Sequence, residues 1–380
     1  MKLIKKSKKL NNVLYDIRGP IVDRAKEMEA QGQQLIKLNI GNLASFDFQV
    51  PEEIQRDMIL NLPNSAGYSD SKGIFAARKA VMHYTQELGI RGVTLDDIYL
   101  GNGASDLISL ATNALLDEGD ELLIPMPDYP LWTATTSLSG GTPVHYLCDE
   151  ENGWQPDLDD IRAKITPRTR GIVIINPNNP TGEVRDKKYL TELIAKHPRV
   201  CFVIDQSYEY FTLKELFTAQ EAAGFSNVIL LHSMTKRYAI PGLRLGYVTA
   251  HPGLIGRLRT NRMPWSVNQL AIEAGLYLLS EGIPAGLSMK DYLAECARLK
   301  SSLEAIGGLE VWPTDTHFML VCLRFGKAAA LKEYLAREEG ILIRDASNFE
   351  GLDERFFRIA TQTPEENDEL VGAIAKWMAE

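Results

Sequence analysis

The chain has 380 residues, 45% of them hydrophobic, which is enough for a large core and more than one structural unit. With 41 Lys and Arg against 50 Asp and Glu the formal charge is −9, which argues against nucleic acid as a partner. The six histidines show no H-E-x-x-H spacing and no paired cysteine set, and no G-x-G-x-x-G or P-loop is present, so no metal, nicotinamide or nucleoside triphosphate is expected.

In chain order, Met1 to Lys9 is basic but runs into polar Asn11-Asn12, which reads as a solvated start rather than a signal core. Pro20 opens a helical stretch with Ile21, Ala25 and Met28 on one face, stopped at Gly32. Apolar runs at 97–101, 121–125, 143–147, 171–175, 200–205, 228–232 and 244–249 alternate with helical or loop segments. That alternation implies a mostly parallel sheet covered on both faces. Between the first two runs, Leu107, Ile108, Ala111 and Leu115 share one helix face, and Gly119 marks the expected end of that helix. After about Asn268 the pattern becomes long helices with short strands such as 318–321 and 341–344. The expected division is an arm and part of a small domain at 1–47, a large domain at 48–270 and the rest of the small domain at 271–380. Cys148, Cys201, Cys296 and Cys322 are scattered and read as reduced thiols, hence a cytoplasmic protein, and no segment is long enough to span a bilayer.

Chemistry concentrates where the strand-like runs end. Lys236 lies among Ser233, Thr235 and Arg244, just after the apolar run 228–231. An imine-forming lysine needs neighbours that hold an electrophile near it, and Ser233 and Arg244 suit a phosphate. Asp205 ends the buried run Val200 to Ile204, at the strand edge where open α/β sheets bind ligands. A carboxylate there can hold a pyridine nitrogen protonated and make the ring an electron sink. Tyr208, three residues on, can aim its hydroxyl at a phenolic oxygen. The turn Asn176-Pro177-Asn178-Asn179-Pro180-Thr181-Gly182 can fix the Asn179 amide at the same place. Gly103, Ala104 and Ser105 open a helix and can cradle a phosphate on backbone N–H groups. Tyr129, in Pro127-Asp128-Tyr129-Pro130, can stack on a pyridine face. Pyridoxal 5′-phosphate fits all of these roles.

Over nearly all its length the chain resembles the fold-type I pyridoxal-phosphate enzymes, and among them the class I/II aminotransferases. The resemblance implies an α/β large domain with a mostly parallel seven-stranded sheet between helices, plus a smaller α+β domain. It implies Lys236 as the Schiff-base lysine, Asp205 on the pyridine nitrogen, Asn179 and Tyr208 on the phenolic oxygen, and Ser233, Arg244 and Gly103 to Ser105 on the phosphate. Tyr68, in Gly67-Tyr68-Ser69-Asp70, matches a tyrosine sent to the neighbouring subunit's phosphate, which implies a homodimer with shared active sites. Arg358, in Arg355-Phe356-Phe357-Arg358-Ile359-Ala360, matches the arginine that pairs with the substrate α-carboxylate, and Gly41 the backbone position beside it. Thr235, Gln206 and Leu43 depart from the residues commoner at their positions, and none of the three removes a catalytic atom.

The front half, with Tyr15-Asp16-Ile17-Arg18-Gly19-Pro20 and Asp128-Tyr129-Pro130-Leu131-Trp132, is similar to bacterial alanine transaminases. The rear half, with Pro264-Trp265-Ser266-Val267-Asn268, Thr316-His317-Phe318 and Ser347-Asn348-Phe349-Glu350-Gly351-Leu352, is similar to threonine-phosphate decarboxylases and histidinol-phosphate aminotransferases. Transamination of an alanine or glutamate type of substrate is expected first, since the glycine-rich segment typical of the decarboxylases is not visible. Tyr15 and Arg18 are candidates for selecting a glutamate side chain, and Arg18→Ala is expected to raise KM for glutamate more than for alanine. A non-catalytic pyridoxal-phosphate sensor is the remaining alternative, weakened by the acidic charge and the full set of cofactor contacts.

Overall fold

The structure is a computed structural model that describes residues 7–10, 13, 25, 27–33, 35–39, 41, 52–68, 75–261, 263–281 and 288–379. All seven expected runs form strands. After β1 (Ile36–Lys37), which belongs elsewhere, they are β2 (Ile98–Gly101), β3 (Glu121–Met126), β4 (Thr142–Asp149), β6 (Thr169–Ile175), β7 (Cys201–Gln206), β8 (Val228–Ser233) and β9 (Gly246–Thr249). An eighth strand, the two-residue β5 (Gln155–Pro156), adds an antiparallel edge that no apolar run announces. The order is β2-β9-β8-β7-β6-β3-β4-β5, with β4, β3, β6, β7 and β8 mutually parallel and β9 antiparallel to both its neighbours.

Strand side chains alternate between faces, and the two cores of this sheet follow that period. Ile172, Ile174, Phe202, Ile204, Val228 and Leu230 pack on one face. Val173, Ile175, Val203, Ile229 and Leu231 pack on the other, against Leu107, Ile108 and Ala111 of the helix Ala104–Leu115. That helix stops at Leu116, earlier than expected, because Gly119 (φ +88°) shapes the following turn into β3 instead of the helix end. Arg244 likewise falls outside β9: its backbone is left-handed (φ +58°), which a strand cannot accommodate.

A second, antiparallel sheet has the order β10-β11-β14-β13, from β10 (Leu309–Val311), β11 (Phe318–Leu323), β13 (Arg344–Asp345) and β14 (Phe356–Ala360). Its core is closed by Cys296, Leu299 and Leu303 of Met289–Glu304 and by Leu370, Ala373 and Ile374 of Pro364–Ala379. The early strand β1 joins this unit by pairing with β12 (Ile341–Leu342), and Leu38 enters the same core. The expected division at 270 cuts the helix Gln269–Glu281, whose Ala271, Ile272, Ala274 and Leu278 pack with Ile54, Val81 and Ile98 of the first unit. We therefore place the change of unit after Glu281.

Candidate active site

A cavity of about 290 Å³ opens at the carboxyl ends of β6, β7 and β8, where the parallel strands stop and their loops diverge. Ala104, Ser105, Tyr129, Asn179, Asp205, Tyr208, Ser233, Lys236, Arg244, Arg358 and Gly41 all line it. Of the other expected site residues, Gly103 and Tyr68 do not line it, and Tyr15 and Arg18 fall outside the described residues. Asn39, Ser207, Arg344 and Phe349 also line the cavity and were not anticipated.

Local chemistry fixes each side chain. Asp205 is buried near the end of β7, its Oδ1 accepting from the Ser207 N–H (3.0 Å) and Oγ (2.6 Å) and its Oδ2 from Trp132 Nε1 (3.2 Å). Burial pushes its carboxyl up, with Ser207 and Trp132 opposing. Lys236 sits in the helical turn Met234–Arg237, which is pinned by buried Arg237 lying 3.9 Å over the Tyr210 ring and bonded to the Tyr84 hydroxyl. The lysine Nζ lies 5.7 Å from the Tyr208 ring centroid.

The asparagine turn is rigid for a readable reason. Asn178 Oδ1 accepts from the Thr181 N–H (3.2 Å) and Oγ1 (2.9 Å), and Gly182 N–H closes the turn on the Asn178 carbonyl at 2.8 Å. Gly182 is left-handed (φ +78°) and pressed against Thr314 and the Phe318 carbonyl, so the turn locks onto the second unit. Asn179 then accepts from Arg358 Nη1 at 2.5 Å, which leaves its amide N–H groups for a ligand. Arg358 is buried and its Nη2 donates to the Asn39 carbonyl at 2.8 Å, so β14 and the segment after β1 meet in one grip.

Gly103 caps the helix Ala104–Leu115 with φ +79°, and the Arg244 guanidinium occupies the space a Cβ there would fill. Helix N–H groups and a guanidinium thus face the same end of the cavity, as an anion site requires. Arg344 is the main surprise. It enters from β13, donates to Asn348 Oδ1 at 2.8 Å, and is pushed down to about 10 by burial and by Arg358. Its segment, Ile341-Leu342-Ile343-Arg344, reads as a strand; only the departure from apolar character at its last residue signals the site.

Among the described residues, Asp205 has no cationic side chain at ion-pair distance, and Arg244, Arg344 and Arg358 have no carboxylate at that distance. A buried carboxylate at one place and three guanidiniums elsewhere in one cavity suit a ligand with a protonatable ring nitrogen and several anionic groups. Pyridoxal phosphate with a carboxylate substrate has that pattern, and the residues present fit it.

Residues 33–374 match the model of the aminotransferase class I and II family. The chain belongs to that family. Glutamate-pyruvate aminotransferase AlaA of Escherichia coli K12 is 52% identical over 252 residues, covering 65% of this chain and 62% of that relative, so this chain spans less than two thirds of its length. A putative threonine-phosphate decarboxylase of Caldanaerobacter subterraneus is 32% identical over 287 residues, covering 74% of this chain and 77% of the relative. In three dimensions, an aminotransferase from Escherichia coli superimposes with a TM-score of 0.86 at 37% identity, covering 100% of this chain and 99% of its own. The fold is therefore that of the fold-type I aminotransferases, with a large, mostly parallel sheet and a smaller antiparallel one.

Proposed function

We propose that this chain is a pyridoxal-phosphate-dependent aminotransferase that moves an amino group between an L-amino acid of the alanine and glutamate type and a 2-oxo acid. The observation that carries the reading is the convergence of Lys236, Asp205, Asn179 and Arg358 on one cavity, with Asp205 held by Ser207 and Trp132 and Arg358 braced by Asn179 and the Asn39 carbonyl. The helix N-terminus at Ala104 and Ser105, with Ser233 and Arg244, would hold the phosphate, Asp205 the ring nitrogen, Asn179 and Tyr208 the phenolic oxygen, and Tyr129 a ring face. When bound, pyridoxal phosphate supplies an aldehyde that captures amines and a ring that accepts electrons.

The chain's own residues then do the rest. Asp205, whose carboxyl burial pushes up and the Ser207 and Trp132 hydrogen bonds pull back, would pair with the protonated ring nitrogen. Arg358, braced by Asn179 and the Asn39 carbonyl, binds the substrate α-carboxylate as a planar fork. A carboxylate gripped in this way favours exchange of the Cα proton over loss of carbon dioxide. The Lys236 amine would take the proton from the substrate Cα as base and, as acid, give it up at the cofactor carbon C4′ instead of Cα. Arg344 places a second cation beside Arg358, suited to the distal carboxylate of glutamate or 2-oxoglutarate.

The same second cation supports a competing reading, decarboxylation of L-threonine-O-3-phosphate or transamination of histidinol phosphate, since a phosphate suits Arg344 as well as a carboxylate does. The discriminating assay sets alanine with 2-oxoglutarate against threonine phosphate. Pyruvate formation from the first pair supports the proposal, and carbon dioxide release from threonine phosphate without keto acid overturns it.

A homodimer with shared sites is part of the proposal. Tyr68 is 84% exposed and stacks at 4.6 Å on Trp265, beside exposed Met263, an apolar face suited to a second copy. Four free, buried cysteines support a reducing, cytoplasmic setting. No helix among the described residues is long and apolar enough to cross a membrane.

A further inference from the structure

His317 is fully buried, and among the described residues its ring nitrogens make no well-formed hydrogen bond; the Gly41 main chain is the polar group that Nε2 faces. Its ring packs at a tilt against Phe211, centroids 4.0 Å apart, and lies 5.5 Å from Tyr292 and 5.7 Å from Tyr208, an aromatic box that a phenylalanine would fill at lower cost. A buried polar ring whose polar neighbour is the main chain at the cavity edge is a poor choice for packing alone. Its main-chain carbonyl accepts from Thr361 N–H at 2.7 Å, which fixes the ring at the β11 and β14 edge that also carries Arg358.

The decisive contact is with Gly41. A Cβ at Gly41 would stand 2.7 Å from His317 Nε2 and 3.4 Å from Tyr208 Cε1, so the imidazole occupies the place of a side chain at 41. Gly41 lines the cavity, and Asn39, two residues before it, holds Arg358 through its carbonyl. Burial, aided by Arg358 and Lys236 and opposed by the Gly41 main chain, pushes the imidazole down to about 3. The ring therefore keeps one N–H and one lone pair throughout the neutral range.

We propose that His317 is a positioning residue for the substrate α-carboxylate: its Nε2 edge sets the Gly41 main chain against the carboxylate end of the cavity, beside Arg358. The inference rests on the assignment of Arg358 to that carboxylate. It makes the histidine a specificity element of this site, acting through Gly41 without touching the reacting atoms.

The test uses the cofactor-loaded protein and glutarate, which has both carboxylates of glutamate and no amine to react. Glutarate binding is read from the change in cofactor absorbance, cofactor affinity by titration, and folding by thermal melting. His317→Phe should weaken glutarate binding about tenfold, the loss of the Nε2 contact that holds the Gly41 main chain, while cofactor affinity stays within about twofold and the melting temperature does not fall. His317→Gln, which restores a polar group near the Nε2 position, should recover part of the loss. Glutarate binding by His317→Phe within about twofold of the parent would overturn the inference, provided Arg358→Leu still weakens it. If Arg358→Leu leaves glutarate binding unchanged, the carboxylate assignment itself fails and the inference falls with it.

Discussion

Replacing Arg344 by leucine separates the second carboxylate from the first. The side chain lies in the cavity wall, tied to Asn348 at 2.8 Å and 5.2 Å from the Phe349 ring, so leucine keeps much of its bulk while removing the charge and the tie to Asn348. Burial and Arg358 lower its pKa to about 10, which still leaves it charged at neutral pH. A hydrogen bond to a charged group contributes roughly 1.5–3 kcal/mol, and about 1.4 kcal/mol is a factor of ten, so the loss is about 10- to 150-fold. The assay is steady-state transamination with 2-oxoglutarate or pyruvate as acceptor. KM for 2-oxoglutarate should rise by that factor and KM for pyruvate by no more than about threefold, since pyruvate has only the α-carboxylate for Arg358. Equal changes for both acceptors, or none, would refute the assignment of Arg344 to a distal anion.

Asp128 gives a stability test. Burial pushes its carboxyl up to about 6 despite hydrogen bonds from Thr133 and the Glu350 backbone, whereas an unfolded aspartate titrates near 3.9. The native state binds the extra proton, so the contribution is fully present below the unfolded value and is lost as pH rises through about 6, about 3 kcal/mol in all. Urea melts should therefore show Asp128→Asn gaining on the parent between pH 4 and 7; a difference that stays constant across that range contradicts the burial argument. Gly182→Ala should destabilise by more than about 1 kcal/mol and weaken cofactor retention, because the position is left-handed and a Cβ would meet the Phe318 carbonyl at 2.8 Å. Unchanged melting and cofactor affinity would show that the turn does not need the glycine.

What the sequence made legible follows from periodicity and from strand ends. The runs ending at Ile175, Asp205 and His232 are apolar enough to announce buried parallel strands, and such strand ends point to candidate ligand-binding residues from the sequence alone. The edge strand β5 was not legible, because two residues show no period. Helix Gln269–Glu281 spans the expected division at 270, because its apolar face does not say which core it fills. Arg344 was missed for a related reason: it follows a short apolar strand, and only the pairing of β13 with β14, Arg344 opposite Arg358, shows that the two guanidiniums share a site. His317 stood out as a motif, but its meeting with Gly41 joins residues far apart in the chain and is visible only after folding.

The central claim is that one amine, on Lys236, holds the cofactor. Borohydride reduction of the yellow, cofactor-loaded protein, followed by peptide mapping, tests it directly. The account predicts a single pyridoxyl label on Lys236, in the peptide that carries Ser233 to Arg237, and its loss in Lys236→Ala. A label on any other lysine, or a protein that stays colourless with the coenzyme in excess, would contradict it.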